Sequence, residues 1–416
     1  MTVLVLGDGP RPYHEHLLQQ IASVHPVVLA GVEPRSWGHA YARLHLDVDL
    51  ADGERAAAAV RSFAASTPLG GICTYLEAHI ELAARLAATL GLPHSSPASM
   101  AACRDKAETR RLFDLYDVPS ARSRLVTDAE DAVEFARLLR YPVVIKPRGL
   151  TGGTGVIRAD SDDQVRTAFQ HANRDTFLDL HTSVNPGVLV EEYLTGPEIS
   201  AETVVLGNGE VRVVAITRKQ LGPEHHFQET GHSVDALDPL LHDQAVVRTV
   251  EAAVTALGVT RGVLHVELRL TKRGPVLIEV NGTPGGDLIT RLVALATGID
   301  LARATAALAT GTTPDLTPTR QRAAAIQFLY PALSGEVTHL EADEALRSER
   351  WLERLVWTRE TGDEVSALAA AGIDDRLGHW VVTGMDAATC QARLAAVPDR
   401  VLARINPPVP TTSGTR

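Results

Sequence analysis

The chain has 416 residues, of which 45% are hydrophobic and 22% are charged, and its formal net charge is -11 at pH 7. This length suits two to four domains of roughly 100–200 residues each, and the composition is too apolar for a disordered chain. The acidic balance argues against nucleic acid or an anionic membrane as the main partner, because such surfaces bind a concentrated basic field. No apolar run approaches the roughly 20 residues of a membrane helix, and the three cysteines lack metal-ligand spacing. We therefore predict a cytoplasmic protein without a disulfide framework or a zinc site.

The N-terminal region alternates between strands and helices. "TVLVLG" predicts a buried strand, residues 14–22 a helix, and "PVVLAGV" a second strand. "GDGPRP" fits the dinucleotide fingerprint poorly, since Pro10 and Pro12 stand where the helix should begin. A dinucleotide-dependent oxidoreductase is therefore a weak alternative. Glu77 follows another strand at the end where α/β sheets bind ligands, although a surface carboxylate near a helix start explains it equally well.

A lysine and a glycine-rich loop follow the strand "PVVIKPR". In "KPRGLTGGTGV", Lys146 precedes a loop with four glycines within seven residues. Glycines let backbone N–H groups converge on an anion, and the lysine adds a positive charge, so this loop predicts a phosphate cradle. It is not a Walker loop, because the lysine precedes the glycines. A flexible hairpin loop is the alternative.

The segment "HVELRLTKRGPVLIEVN" predicts a β-hairpin. A three-residue loop, Lys272–Gly274, is a common hairpin type. That register sets Glu267 opposite Glu279 and His265 opposite Asn281 on one face, while Ile278 and its apolar neighbours point to the other.

Opposed carboxylates destabilise a strand pair unless something neutralises them. Two carboxylates and one amide, here Glu267, Glu279 and Asn281, suit Mg²⁺, which favours oxygen ligands. The alternative is that Arg269 and other basic side chains neutralise a solvated face. With the phosphate loop and its lysine, the hairpin predicts a nucleoside triphosphate held with Mg²⁺.

In this order the motifs resemble the ATP-grasp superfamily of carboxylate ligases over residues 1–315, and its bacterial L-amino-acid ligase branch over nearly the whole chain. The resemblance implies a fold of α/β and α+β class, with ATP and Mg²⁺ as cofactors and Mn²⁺ as an alternative metal. The implied regions are an N-terminal Rossmann-like domain (1–96), a helical linker (97–126), a small lid subdomain (127–190), a large ATP-grasp subdomain (191–315) and an extra C-terminal α+β domain (316–416).

The resemblance also assigns residues. "CRDKAETR" and "VVIKP" look like the family's two ATP lysines, "TGGTG" like the lid loop, and "VEEYLTGPEIS" like the adenine and ribose segment. The implied ATP contacts are Lys106, Lys146, Thr151, Gly152, Gly153, Thr154, Glu191, Glu192, Tyr193, Leu194 and Glu198. The implied metal ligands are again Glu267, Glu279 and Asn281.

"HHFQETGHS" resembles the segment that reaches the substrate in amino-acid ligases. The candidate substrate contacts are Glu77, His226, Glu229, His232 and Asp287. An isolated histidine is more often structural, but three polar groups in one glycine-containing loop favour substrate contact. The implied reaction activates a small-molecule carboxylate as an acyl phosphate and joins it to an amine, with an amino acid as the favoured substrate.

One position departs from the family pattern. Two residues beyond the metal asparagine the family carries an arginine that stabilises the reacting acyl group, and this chain has Thr283 there. Arg218, Lys219 and Arg291 are candidates to replace its charge, and sequence spacing does not choose among them. A thioester or acyl-phosphate product and a non-catalytic ATP-binding regulator remain open, as do the substrates' identity and a homodimer.

Overall fold

The computed structural model describes residues 1–32, 36–150, 152–178, 186–223, 227–368 and 372–407. Within these ranges the β-strands form four sheets. No single described helix is long and apolar enough to span a membrane, although one pair of helices bent by 104°, Ile289–Thr297 with Leu301–Ala309, passes the length and composition test together.

The N-terminal sheet is parallel and carries helices packed against it. Its elements are β1 (Val3–Leu6), α1 (Arg11–Val24), β2 (Val27–Gly31), β3 (Leu44–Asp47), α2 (Gly53–Ser66), β4 (Gly71–Cys73) and α3 (Ile80–Leu90). The strand order is β3-β2-β1-β4. Continuous apolar runs such as the fully buried VLVL of β1 are typical of a sheet covered on both faces. Glu77 opens a short 3-10 turn after β4, at the carboxyl end of the sheet.

Two short helices connect this sheet to the next. They are α4 (Pro97–Arg104) and α5 (Lys106–Leu115). Asp105 separates them and caps α5, because its side chain accepts hydrogen bonds from the backbone N–H groups of Ala107 and Glu108. This cap makes Lys106 the first residue of α5.

The second sheet is antiparallel, with two helices packed on it. Its elements are β5 (Ser123–Val126), α6 (Ala129–Leu139), β6 (Val143–Pro147), β7 (Ile157–Ala159), α7 (Asp162–Leu178) and β8 (Val188–Glu192), in the strand order β5-β8-β6-β7. Alternate apolar residues of β6 and β8 share one buried cluster with α6 and α7. Lys146 therefore lies near the end of a central strand, immediately before the glycine-rich loop that joins β6 to β7.

The largest sheet has eight strands in the order β13-β12-β9-β10-β11-β14-β18-β16. Residues beyond the predicted boundary at 316 supply three of these strands, so the large subdomain and the C-terminal region share one sheet. A further sheet has the order β17-β15-β19. The elements of both are β9 (Glu198–Val205), β10 (Val211–Leu221), β11 (Glu229–Asp235), α8 (Gln244–Ala256), β12 (Gly262–Thr271), β13 (Gly274–Asn281), α9 (Ile289–Thr297), α10 (Leu301–Ala309), β14 (Ala323–Leu329), β15 (Gly335–Ala342), β16 (Leu352–Trp357), β17 (Glu364–Val365), β18 (Gly378–Gly384), α11 (Ala387–Ala395) and β19 (Val401–Asn406).

The β12–β13 hairpin confirms the predicted register at its polar end and corrects it at the turn. Glu267 pairs with Glu279, and His265 pairs with Asn281, as predicted. Thr271 pairs with Gly274, however, so the loop has two residues and the predicted three-residue loop is wrong. A register shift after Glu267 compensates, because a bulge adds one residue to one strand. The extra residue, Ile278, lines the cavity described below instead of facing the core.

Candidate active site

A cavity of about 1040 Å³ lies where the N-terminal sheet, the second sheet and the large sheet meet. Most of the residues singled out in the sequence line this cavity. Those that line it are Glu77, Lys106, Lys146, Gly152, Gly153, Thr154, Glu191, Glu192, Tyr193, Leu194, Glu198, Lys219, Glu229, Glu267, Glu279, Asn281 and Asp287. His232 is fully buried directly behind this lining, while Thr151 and His226 lie outside the described residues.

The polar side chains of the cavity come from one face of neighbouring strands. Side chains alternate between the two faces of a strand, so residues two apart share a face. On the large sheet this periodicity groups Glu198, Ser200 and Glu202 of β9 with His265 and Glu267 of β12, and the pairing sets Glu267 beside Ser200. The intervening residues, such as Ala201 and Val266, belong to the core.

Lys106 is held at the start of α5, where it faces the β12–β13 hairpin. Its Nζ lies 2.9 Å from Glu279 Oε1 and donates to the carbonyl of Leu150 at 2.5 Å. The helix cap is itself fixed, because Arg148 Nε donates to Asp105 Oδ1 at 2.6 Å. Lys106 is thus directed at a candidate metal ligand and at the edge of the glycine-rich loop.

Lys146 belongs to a buried ion cluster with Glu191 and Arg110. Its Nζ lies 2.7 Å from Glu191 Oε2, and Arg110 donates to both Glu191 oxygens, at 2.9 and 3.1 Å. Burial would raise the pKa of Glu191, but the two cations outweigh it and lower this pKa. Burial lowers the pKa of Lys146. Glu191 was predicted as an ATP contact, and in the structure it lines the cavity while its carboxylate pairs with Lys146 and Arg110.

The glycine-rich loop uses glycine where the backbone requires it. Gly152 and Gly153 have φ angles of +64° and +72°, in the left-handed region that other residues disfavour. Both line the cavity together with Thr154. The loop therefore exposes backbone toward the cavity with few side chains in the way.

The segment after β8 forms a second, more apolar part of the cavity. Leu194 packs in a small cluster with Ala121 and Val276, against which Ile278 also lies. Glu198 is held by Arg269, whose Nη2 lies 2.8 Å from Glu198 Oε2. An apolar slot beside a fixed carboxylate can hold a flat ring with an attached hydroxylated group.

The side-chain oxygens of Glu267, Glu279 and Asn281 fit a divalent metal. Asn281 Nδ2 donates to Glu77 Oε2 at 3.2 Å, and this bond leaves Asn281 Oδ1 buried and without a hydrogen-bond partner among the described residues. Such an orphaned amide oxygen beside two opposed carboxylates provides the oxygen ligands that Mg²⁺ prefers. Arg269, the alternative neutralising group, binds Glu198 instead.

Lys219 and His265 neutralise the carboxylate of Glu267 from two sides. Lys219 Nζ lies 2.5 Å and His265 Nε2 3.1 Å from Glu267 Oε1. Burial would raise the pKa of Glu267, but these cations outweigh it and lower this pKa to about 2. Burial would lower the pKa of His265, whereas Glu202 and Glu267 raise it to about 10. His265 therefore carries a positive charge at neutral pH.

Glu229, His232 and Asp287 form a second acidic group in the cavity wall. His232 Nε2 lies 3.3 Å from Glu229 Oε2 and 3.5 Å from Asp287 Oδ2, and one ligand atom from each residue lies within 4.8 Å of the others. Burial would lower the pKa of His232, but the two carboxylates outweigh it and raise this pKa. Lys219 contacts Glu229 at 2.6 Å and Arg376 contacts Asp287 at 2.7 Å. These two cations balance part of the negative charge of the site, and the charge that remains suits a singly charged ammonium.

Three residues were candidates to supply the positive charge that is missing at Thr283, and only one of them lies in the cavity. Lys219 lines it, with an exposed fraction of 2% for its side chain. Arg218, its neighbour on the opposite face of β10, binds Asp238 at 2.6 Å, and Arg291 on α9 binds Glu353 at 2.7 Å. Neither arginine is among the residues that line the cavity.

Three functional side chains were not identified from the sequence. Arg110 follows Lys106 by four residues on α5, so helical periodicity could have placed both on one face. His265 was placed on the polar face of the hairpin but was given no role. Arg376 reaches the cavity from the C-terminal region, and no local spacing indicates that contact.

Comparison with known proteins agrees with this geometry. The model of the ATP-grasp domain matches residues 139–291, and that of the ATP-grasp N-terminal domain matches residues 27–94. A phosphoribosylamine–glycine ligase from Phenylobacterium zucineum is 30% identical over 367 residues, which cover 82% of this chain and 84% of that protein. An uncharacterized Sinorhizobium fredii protein is 27% identical over 323 residues, covering 76% of this chain and 65% of that protein. The L-amino acid ligase structure from Bacillus licheniformis superposes with a TM-score of 0.81 at 21% identity, over 97% of this chain and 98% of that one.

The fold and the cavity thus define an ATP-grasp protein, and the predicted fold class is confirmed. The chain belongs to the ATP-grasp family, among its carboxylate–amine ligases, which are enzymes that form amide bonds. Proteins of this family generally use ATP with Mg²⁺.

Proposed function

We propose that this ligase activates the carboxylate of a small molecule as an acyl phosphate and joins it to an amine, with an amino acid as substrate, to give an amide or dipeptide. One observation carries the proposal. Lys219 bridges the two acidic groups of the cavity, at 2.5 Å from Glu267 and 2.6 Å from Glu229. The carboxylates suited to bind a metal and the site suited to an amino group are therefore neighbours. A reaction between a phosphorylated carboxylate and an amine requires this proximity.

ATP would occupy the part of the cavity between the glycine-rich loop and the β12–β13 hairpin. Lys106 and Lys146 would contact its phosphates, the loop amides of Gly152 and Gly153 would support them, and the slot at Leu194 would take the adenine. Glu267, Glu279 and Asn281 would hold Mg²⁺, which when bound neutralises phosphate oxygens and makes the terminal phosphorus a better electrophile.

The substrate steps follow from the remaining groups. The substrate carboxylate oxygen attacks the terminal phosphorus and ADP leaves. The amine nitrogen then attacks the acyl carbon, phosphate leaves, and one proton must leave the nitrogen. Lys219 supplies positive charge beside the reacting acyl group, in the role that an arginine at the position of Thr283 would otherwise have.

The site of Glu229, His232 and Asp287 would receive the amino group. Two carboxylates favour the protonated form of an amine that enters between them. The proton released on amide formation can pass to the Glu229 carboxylate, which lines the cavity, or leave with the phosphate. The resemblance to an L-amino acid ligase and to a phosphoribosylamine–glycine ligase supports an amino acid as one substrate.

An assay of the purified protein with MgATP and panels of amino acids tests this function. ADP, phosphate and new amides are measured together by mass spectrometry, and we expect one amide for each ADP released. ADP release without any amide would contradict an amide-forming ligase and favour a thioester or acyl-phosphate product. No amino-acid-dependent ADP release would favour the non-catalytic regulator.

A matched pair of substitutions connects the assay to the metal site. Glu279→Gln removes one charged ligand while preserving shape, so we expect turnover to fall by about 100-fold or more with cooperative unfolding retained. Glu210→Gln is the control, because Glu210 binds Arg212 at the surface of the same sheet. Unchanged turnover in the Glu279 variant would remove this residue from the metal site.

A further inference from the structure

Arg376 links the C-terminal region to the amino-group site. It follows the short turn Ile373–Asp375 and precedes β18. Its side chain is only 3% exposed, and its Nη1 and Nη2 donate to the two oxygens of Asp287 at 2.7 and 2.8 Å. Burial would lower the pKa of Arg376, but Asp287 outweighs it and raises this pKa well above its ordinary value. The two residues form a bidentate, charge-assisted pair.

Other contacts fix the plane of the guanidinium. Arg376 Nε donates to the hydroxyl of Tyr330 at 2.9 Å, and the guanidinium carbon lies 3.7 Å from the centroid of the Phe328 ring. Nη2 also approaches the carbonyl of Glu229 at 3.4 Å. With its hydrogen bonds directed to these groups, Arg376 is oriented toward the protein and not toward the middle of the cavity.

The backbone at Asp287 needs such support. Asp287 and Leu288 have φ angles of +52° and +62°, so two consecutive residues with side chains adopt the left-handed conformation. This conformation is unfavourable for L-residues and persists where surrounding contacts determine it. The described side-chain partners of Asp287 are Arg376 on one side and His232 on the other.

We propose that Arg376 is a positioning residue that holds the Asp287 carboxylate in the geometry required to bind the amino group of the substrate. The inference rests on the proposed function, because it assigns Arg376 to the amino-group site of that reaction. Arg376 acts through Asp287 and does not contact the nucleotide region formed by Lys106, Lys146 and the glycine-rich loop. Its loss should therefore weaken use of the amino substrate and leave ATP binding unchanged.

Steady-state kinetics of Arg376→Met, Asp287→Asn and the double variant test this role. We expect Arg376→Met to raise the KM of the amino substrate by about tenfold or more, with the KM of ATP within about twofold of the parent. Arg376→Lys should recover part of the loss, since lysine keeps one charged contact with Asp287. The double variant should be no worse than the poorer single variant, because both substitutions remove the same interaction.

Arg393→Met is the matched control. Arg393 is a half-buried arginine of α11 in the same region, which donates to the carbonyl of Thr383 and stacks 5.9 Å from the Trp351 ring centroid. It is not among the residues that line the cavity, so its kinetics should match those of the parent.

Several outcomes would overturn the inference. Equal increases in both KM values, or additive losses in the double variant, would mean that Arg376 only maintains the fold. If Arg376→Met fails to fold, Arg376→Lys decides: an increase in KM confined to the amino substrate supports the role, and equal increases in the KM values of the amino substrate and of ATP reject it. If the parent protein forms no amide at all, the proposed function fails and the inference fails with it. If the parent forms the amide and Arg376→Met leaves the KM of the amino substrate unchanged, only the inference is rejected.

Discussion

Lys219 holds three carboxylates at the centre of the cavity. Its Nζ lies 2.5 Å from Glu267, 2.6 Å from Glu229 and 3.8 Å from Glu198. Burial would lower the pKa of Lys219, but these carboxylates outweigh it and raise this pKa well above its ordinary value. The ammonium group therefore stays charged throughout the neutral range and relieves the repulsion among its acidic neighbours.

Lys219→Met should destabilise the protein, because it leaves buried carboxylates without their shared cation. We expect the free energy of unfolding in urea to fall by about 3–5 kcal/mol. Lys272→Met is the control, since Lys272 is exposed in the turn of the β12–β13 hairpin and should change stability by less than about 0.5 kcal/mol.

The same variant reports on the metal. A cation at Glu267 compensates for the lost ammonium, so Mg²⁺ should raise the Tm of the Lys219 variant more than that of the parent. An equal Mg²⁺ response in the two proteins would contradict a metal site at Glu267.

At the residue scale, the sequence predicted what local periodicity determines. Strand alternation placed Glu267, Glu279 and Asn281 on one face, and the register of the hairpin confirms that placement. It could not determine which of Arg218, Lys219 and Arg291 reaches the cavity, since that depends on how strands separated in the chain pack together. Arg376 lies 89 residues beyond its partner Asp287, and its contact follows from tertiary packing alone.

The amino end of α5 is the element that delivers Lys106. Asp105 caps this helix and also receives Arg148 from the end of β6 at 2.6 Å. One carboxylate thus fixes the helix start and ties it to the segment that follows Lys146. The relative placement of the two candidate ATP lysines depends on this junction.

Asp105→Ala should therefore affect nucleotide binding as well as stability. Loss of the cap should cost about 1 kcal/mol, and the displaced Lys106 should raise the KM of ATP by about tenfold. Asp128→Ala removes an equivalent cap from α6, where Asp128 accepts from the backbone of Glu130 and Asp131. It should cost similar stability while leaving the KM of ATP near the parent value, and an equal KM change in both variants would rule out a specific role for the α5 cap.

At the element scale, the presence of strands and helices was more predictable than the geometry of the turns. The apolar run at the N-terminus and the helix expected at residues 14–22 correspond to β1 and α1. The hairpin loop was predicted one residue too long because the bulge at Ile278 restores the register. A bulge depends on the fit of neighbouring strands, here β9 beside β12, so the hairpin sequence alone does not reveal it.

At the scale of the whole molecule, α1 joins the N-terminal sheet to the rest of the protein through buried histidines. His16 on α1 forms a hydrogen bond of 2.7 Å with Thr290 on α9, and the ring of Tyr13 lies 5.2 Å from that of His379 on β18. Burial lowers the pKa of both His16 and His379 to about 3. Both histidines are therefore neutral in the folded protein at neutral pH.

Acid should weaken this junction. Between the unfolded pKa of about 6.5 and the folded value near 3, the unfolded chain binds a proton at each histidine that the folded chain does not, so each should lower the free energy of unfolding by about 1.4 kcal/mol per pH unit as the pH falls. His379→Leu should reduce that slope by the contribution of one histidine, measured by urea unfolding between about pH 6 and 5. His242→Leu, at an exposed position, is the control, and an unchanged slope in the His379 variant would contradict burial of a neutral ring.

For the whole molecule, the order of the motifs was predictable from the sequence, but the way in which its regions share sheets was not. The order of lysine, glycine-rich loop and acidic hairpin indicated the fold, and the family comparison confirms it. The C-terminal region was predicted as a separate domain, yet β14, β16 and β18 extend the large sheet. The cytoplasmic location and a homodimer remain predictions.

Transfer of ¹⁸O from the substrate carboxylate tests the central claim most directly. The purified protein is given MgATP, the amine and an amino acid labelled with ¹⁸O in both carboxylate oxygens, and the released phosphate is analysed by mass spectrometry. Activation through an acyl phosphate predicts one ¹⁸O atom in the phosphate for each amide formed, because the carboxylate oxygen bonded to phosphorus leaves with it. Amide formation with unlabelled phosphate would contradict this chemistry.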